Sequence, residues 1–481
     1  MADTGLKREL GLMDSAMIVM GSMIGSGIFI VSADIARTVG CSGWLLMVWI
    51  ITGFITVAAA LSYGELAAMM PRAGGQYVYL REAYSPMAGF LYGWTLFLVI
   101  QTGTIAAVAV AFAKYTAVLL PWFSENHVLF SAGSFKISAA QVLAIAQIAL
   151  LTWINLRGLK QGKLVQNVFT SAKIVALACL IVLVLALGRN PDAVSANLRN
   201  AWEAVWWKAS GSQALSGGML LAAVGVAMVG SLFASDAWNN ITFTAGEVSE
   251  PQRNIPLSLV LGTAAVTALY VLANVASLAA LPVSGSPDAL DAVGRGMQFA
   301  VNDRVTTAAV SFFGAKAEML LALLIMVSTF GCNNGLILAG ARVYYAMAQD
   351  GLFFKKVGEL NRNAVPGAAL KLQALWAGAL CLSGTYGDLL DYVIFAVLIF
   401  YALTVVGIFL LRKKRPDAPR PYKAWGYPWL PGFYVVAASA ICLDLLVFKP
   451  KYTWPGVIIV LLGIPVYFAW SRCRTLGLEK P

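Results

Sequence analysis

Two short runs interrupt an otherwise apolar chain of 481 residues. One is Gly21-Ser-Met-Ile-Gly-Ser-Gly27 and the other is Phe233-Ala-Ser-Asp-Ala-Trp-Asn-Asn240. Glycine weakens a helix interior by roughly 1 kcal/mol relative to alanine, and the first run holds three. The second puts an acid and two amides where apolar residues would continue the pattern. Both runs therefore predict broken helices. A break at Gly25, Ser26 and Gly27 frees backbone N–H groups and starts a half-helix whose positive N-terminal end suits a carboxylate. The Ser26 hydroxyl adds a donor, and the flanking glycines allow close approach to the backbone. Carbonyls released around Phe233, Ala234 and Asp236 can accept from an ammonium. Donors facing acceptors complement a zwitterionic α-amino acid. Taken alone, Gly21 and Gly25, four apart, also fit a helix-packing face.

Other residues have two readings each. Lys173 lies in an apolar run, where an ammonium is expensive at membrane depth. It either snorkels to the interface or acts as a fixed cation between the first and eighth runs, where Ser328, Thr329 and Asn333 could receive it. A burial-shifted lysine there could also couple a proton. Asp236 either accepts from the broken backbone around it or meets a cationic substrate side chain. Phe233 is a candidate apolar lid, and Trp238 is read as packing. Glu65 and Glu247, near inner helix ends, are expected to be solvated or in cytoplasmic salt bridges. The basic run at 412–415 is expected to set topology beside anionic lipid.

The elements that must position these residues follow from composition. Apolar and aromatic residues make up 59% of the chain and charged residues 12%, with mean hydropathy +0.76. A soluble globule cannot hide that much apolar surface, which excludes a soluble enzyme. Runs of spanning length fall near 14–37, 42–69, 85–119, 138–156, 165–187, 217–246, 257–281, 317–348, 367–384, 388–411, 430–448 and 454–471. The fold class is thus an all-α integral membrane protein of about twelve spans, with both termini on one side. Lys and Arg number 34 against 23 Asp and Glu, a formal charge of +11. Placing the termini inside puts 22 basic residues on inner segments, 10 on outer ones and two within spans, as the positive-inside rule requires. The net charge therefore describes a bilayer orientation, and no nucleic-acid partner is implied.

The two breaks fall in spans one and six, so each opens a block of five. An odd number of spans inverts the second block, and paired interrupted helices in inverted halves point to a secondary transporter's site. The predicted layout is a tail at 1–13, a first repeat at 14–187, an outer loop at 188–216 and a second repeat at 217–411. A basic inner loop at 412–429, spans eleven and twelve at 430–471 and a tail at 472–481 complete it. The start MADTGLKREL is expected to lead into a retained span rather than a cleaved leader. Six cysteines form no CxxC pair, so neither a metal centre nor a disulfide framework is predicted. The single histidine, His127, excludes histidine-based zinc chemistry and triads. No cofactor is predicted, and no clustered acid, histidine or cysteine suggests a membrane enzyme.

These motifs resemble the amino acid–polyamine–organocation transporters, specifically the L-type amino acid transporter branch in its bacterial form. The resemblance rests on GSMIGSGIF, the run at 71–75 before Tyr77, and FASDAWNN followed by Glu247 with Pro251, Arg253, Asn254 and Pro256. RVYYAMAQDGLF and RPDAPRPYKAWGYPWLP extend it over nearly the whole chain. It implies a five-plus-five inverted repeat and sodium-independent exchange of amino acids by alternating access in the plasma membrane. On this chain it places the substrate carboxylate at Gly25, Ser26 and Gly27, and the amine at the carbonyls of Met23 and Ile24. Phe233, Ala234 and Asp236 fall in the amine-binding and gating stretch, Gln101 and Thr104 face the side-chain pocket, and Lys173 replaces sodium. Ala237 stands where many relatives have glycine, and Gln76 where they have an acid. Animal members attach a single-span glycoprotein through a cysteine after span three. The loop at 120–137 has none, so no disulfide-linked partner is expected.

Overall fold

A computed structural model describes residues 6–132, 135–208, 211–301, 304–382 and 386–475, and helix dominates it. Local signals start several long helices. Ser85 caps the helix opening at Pro86, its side chain accepting from the Ala88 N–H at 3.3 Å, with proline in the first turn where no N–H is needed. Ser138 and Gln141 form a capping box at the head of Ala139–Leu156.

Among the described residues, eleven helices are long and apolar enough to cross a membrane. Span one comprises Leu12–Met23 and Gly27–Ile30, continued by Ser32–Val39. Spans two to five are Ser42–Met69, Pro86–Leu119, Ala139–Leu156 and Leu159–Leu187. Span six is Gly217–Ala234, with a short restart at Asn240–Phe243. Span seven is Pro251–Ala280 and span eight Ala315–Gln349. Span ten is Tyr386–Lys414, span eleven Trp429–Phe448 and span twelve Pro450–Thr475. The expected ninth span is the exception. Gly367–Cys381 has 15 residues, about 22 Å of helix, which is short of a hydrocarbon core of about 30 Å. The residues at 383–385 that follow it lie outside the described set. Two antiparallel hairpins, Val128–Ala132 with Phe135–Ser138 and Val205–Lys208 with Gly211–Ala214, stand where only loops were expected.

Span five shows the membrane pattern on a single helix. Its exposed face carries Leu164, Val168, Val175 and Val182, four or seven residues apart, whereas Gln166, Thr170 and Lys173 are buried. Apolar residues outward and polar residues inward invert the order of a water-soluble helix. This helix begins at Leu159, six residues before the expected start. Its polar first turns have partners, because Lys163 and Asn167 both reach Asp14 at 2.8 and 2.7 Å, and Gln166 donates to Met17 O at 3.3 Å.

The packing carries the repeat. Replacing each span by its counterpart five places on maps observed contacts onto observed contacts. Span one on seven becomes six on two, three on nine becomes eight on four, and three on ten becomes eight on five. Spans two and seven pack on each other, as do three and eight. Two inverted five-span halves related by a twofold axis produce this pattern.

Candidate functional site

Both breaks form where the sequence places them. The helix from Leu12 ends at Met23 and restarts at Gly27, while span six ends at Ala234 and restarts at Asn240. In the second break Ala237 has φ 63°, a left-handed conformation that favours glycine and is unusual for alanine. The two breaks meet face to face. A Cβ built on Gly27 would lie 2.6 Å from Ala234 Cβ and 2.9 Å from its Cα, so the absence of a side chain at Gly27 sets the approach of spans one and six. Met23, Ile24, Ser26, Phe233 and Ala234 are all buried. Gly25 packs against span eight, where its Cβ would lie 3.0 Å from Cys332 Sγ.

Lys173 is 2% exposed, so its side chain does not snorkel. It sits fourteen residues into its helix, about 21 Å from the helix's N-terminal end and deeper than a start at 165 implied. Its Nζ donates to the carbonyls of Gly21 at 2.5 Å and Ile24 at 2.7 Å, and lies 3.5 Å from Ser328 O. The ammonium thus ties span five to the break in span one and to span eight. Of the three span-eight residues expected to receive it, only Ser328 does. The Thr329 hydroxyl turns back to Ile325 O at 2.9 Å, and Asn333 faces Gln147 at 3.4 Å. The Ile24 carbonyl, which the resemblance gave to the substrate amine, is held by Lys173 and approached by Ser328 Oγ at 3.2 Å.

Tyr270, on span seven, escaped the sequence reading. Its hydroxyl lies 3.0 Å from both Met23 O and Ala234 O, one carbonyl from each break. A single hydroxyl proton serves one acceptor at a time, so it links the two breaks and can pass between them. The only signal was a lone tyrosine in an apolar run.

Gln101, Thr104 and Asp236 lie together on a small cavity of about 10 Å³ beside the second break. A five-residue π-helical segment, Leu96–Ile100, directly precedes Gln101 and re-aims the helix there. The π segment helps place Gln101 and Thr104 on the cavity wall, whereas Gly27 and Ala234 form the packed contact between the breaks and Gly25 faces span eight. Asp236 Oδ1 accepts from the Tyr401 hydroxyl of span ten at 2.6 Å. Tyr401 also lies 3.1 Å from Asn239, whose Nδ2 donates to Gln76 Oε1 at 2.9 Å, and Gln76 Nε2 donates to Thr404 at 3.1 Å. Gln76 therefore joins a chain of hydrogen bonds that runs from Asp236 through Tyr401 and Asn239 to Thr404. Tyr401 and Thr404, three apart on span ten, were the missed signal for this chain.

Ion pairs cluster at the end of the bundle that carries the N-terminal segment. Glu247 and Arg342 are each 1% exposed and pair through two bonds of 3.0 Å. Glu65 is equally buried and binds Arg412 at 2.9 and 2.6 Å and the Ala424 N–H at 2.7 Å. Of the two readings for these acids, solvation fails because both are enclosed. The basic run is engaged as well. Arg415 pairs with Glu82 at 2.8 Å, and Lys414 donates to Ala83 O at 2.8 Å. Glu82 is held below the usual carboxylate range, since its bonds to Arg415 and Arg81 outweigh the opposing effect of burial. Beside the Glu247–Arg342 pair the segment at 9–10 donates to Glu247 O at 3.0 Å, and Gly74, one of two consecutive glycines at positive φ, donates to Phe243 O at 3.0 Å.

Comparison with known proteins agrees with this architecture. The amino acid permease family model matches residues 10–468. The large neutral amino acids transporter small subunit 2 of Homo sapiens is 31% identical over 464 residues, covering 96% of this chain and 80% of the relative. The serine/threonine exchanger SteT of Bacillus subtilis (strain 168) is 28% identical over 473 residues, covering 98% of both chains. The human b(0,+)-type amino acid transporter 1 is 28% identical over 482 residues, covering 99% of this chain and 91% of the relative. With its broken first and sixth spans and a family match over nearly its full length, this multi-pass membrane protein belongs to the amino acid permease family, in the L-type branch of the amino acid–polyamine–organocation superfamily.

Proposed function

We propose that the chain exchanges neutral L-amino acids across the plasma membrane by alternating access, without sodium. The observation that carries this reading is the direct contact of the two breaks at Gly27 and Ala234, braced by the Lys173 ammonium against the carbonyls of Gly21 and Ile24. The substrate carboxylate binds the N-terminal end of the Gly27 half-helix, its amine binds carbonyls of the broken segments, and Phe233 covers it. Lys173 supplies the fixed positive charge between spans one and eight. The names of the similar proteins, two amino acid transporters and a serine/threonine exchanger, support the same substrate class. Both termini face the cytoplasm, the four-helix bundle containing spans one and six rocks against the rest, and the Glu247–Arg342 pair forms the inner gate. No disulfide-linked partner and no catalytic chemistry enter this reading.

Counterflow in proteoliposomes tests it. Labelled neutral amino acids should enter vesicles preloaded with unlabelled amino acid, equally in sodium and in choline. Strong uptake into empty vesicles driven by a pH gradient alone would replace exchange with proton coupling through Lys173. Saturable binding with no flux would leave a sensor.

A further inference from the structure

The cavity beside the second break has an unmet polar group in its wall. Asn240 is 1% exposed and lines that cavity, and its side-chain Nδ2 has no acceptor. Its polar neighbours bond within the protein. Gln101 Nε2 donates to Leu336 O at 2.8 Å, Thr104 Oγ1 to Ile100 O at 2.7 Å, and Tyr401 to Asp236 at 2.6 Å. Asn239 Nδ2 reaches Gln76 at 2.9 Å. Among the described polar residues on this wall, Asn240 alone keeps a buried side-chain nitrogen without a partner. Native proteins rarely leave such a donor unmet, and where it faces a cavity a ligand can complete it.

We infer that Asn240 is the specificity residue of the side-chain subsite. Its Nδ2 donates to an oxygen on the substrate side chain, so the site favours L-amino acids carrying a hydroxyl or amide oxygen over apolar ones of the same shape. The inference rests on the exchanger reading and narrows its substrate class. Asn240 heads the restarted half-helix Asn240–Phe243, four residues beyond Asp236, so it belongs to the segment that closes on the substrate. Leu96, Ile100 and Val397 share the wall and keep the subsite largely apolar, which strengthens one well-placed hydrogen bond. A hydroxyl meets the donor, whereas a methyl in its place leaves it buried and unpaired. That asymmetry lets such a site reject an isostere lacking the polar group.

Threonine and valine differ by that exchange of hydroxyl for methyl. In proteoliposomes, kcat/KM for counterflow should favour threonine roughly 10-fold in the wild type. In Asn240→Leu the ratio should fall to about 2-fold or less, through weaker threonine transport with valine unchanged or improved. Should the leucine variant fail to purify as a monodisperse protein, Asn240→Ser, which keeps a shorter donor, should give an intermediate ratio. A wild type that takes valine as well as threonine, or a variant that keeps the full preference, overturns the inference. Absence of flux for both amino acids in the wild type would instead overturn the exchanger reading on which it rests.

Discussion

Gly27→Ala is the sharpest perturbation the structure offers. The added methyl would sit 2.6 Å from Ala234 Cβ and 2.9 Å from Ala234 Cα, against an ordinary carbon–carbon contact of about 3.5–4.0 Å. Spans one and six would have to part by about 1 Å. Overpacking of a close contact costs about 1–3 kcal/mol, which lowers the population of the closed arrangement roughly 5- to 150-fold. Alanine's helix preference does not rescue it, because that gain of about 1 kcal/mol applies to open and closed states alike. Turnover in counterflow should therefore fall at least 5-fold, while detergent-solubilised protein keeps its elution profile. A second substitution separates this cause from a general defect. Ala234→Gly removes the atom at 2.6 Å and leaves the one at 2.9 Å, so the double variant should recover part of the lost turnover. Wild-type exchange by Gly27→Ala, or no recovery in the pair, would refute the claim that these two residues set the closure of the breaks.

Three further outcomes follow from the same geometry. Lys173→Ala strips the donor from the Gly21 and Ile24 carbonyls, each costing about 1–3 kcal/mol when left unmet, so transport should drop more than 10-fold; an unaffected variant would make the ammonium incidental. Arg342→Met leaves Glu247 charged and enclosed, and breaking one side of a buried pair costs about 3–5 kcal/mol, which should appear as a lower Tm that Glu247→Gln in the same chain partly restores. Tyr270→Phe removes the hydroxyl shared by Met23 and Ala234, and should slow exchange several-fold at about 1 kcal/mol while leaving the Tm within a few degrees of wild type.

The breaks at 21–27 and 233–240 were legible because glycine and polar residues inside apolar runs violate the rule that membrane helices satisfy their own backbone. Lys173 was legible for the same reason. Its acceptors were less so, since Thr329 and Asn333 sit on the same helix as Ser328 and only packing decides which of them faces span five. The early start of span five was hidden because Lys160, Gln161, Gly162 and Lys163 read as loop until Asp14 supplies a partner for Lys163. Tyr270, Tyr401 and Asn240 carry ordinary residue types, and what sets them apart is the neighbour each meets or lacks.

By itself the sequence determined that this chain crosses a bilayer many times, where its two helices break, and that one buried lysine accompanies the breaks. Each of those facts depends on hydropathy and backbone propensity, which act over a few neighbouring residues. Tertiary structure decided that Gly27 meets Ala234, that one tyrosine hydroxyl spans both breaks, and that Asn240 is left with a donor unmet. Such contacts join residues from 36 to 247 positions apart. They are fixed only when helices pack at interior density, where a single methyl or hydroxyl changes what fits.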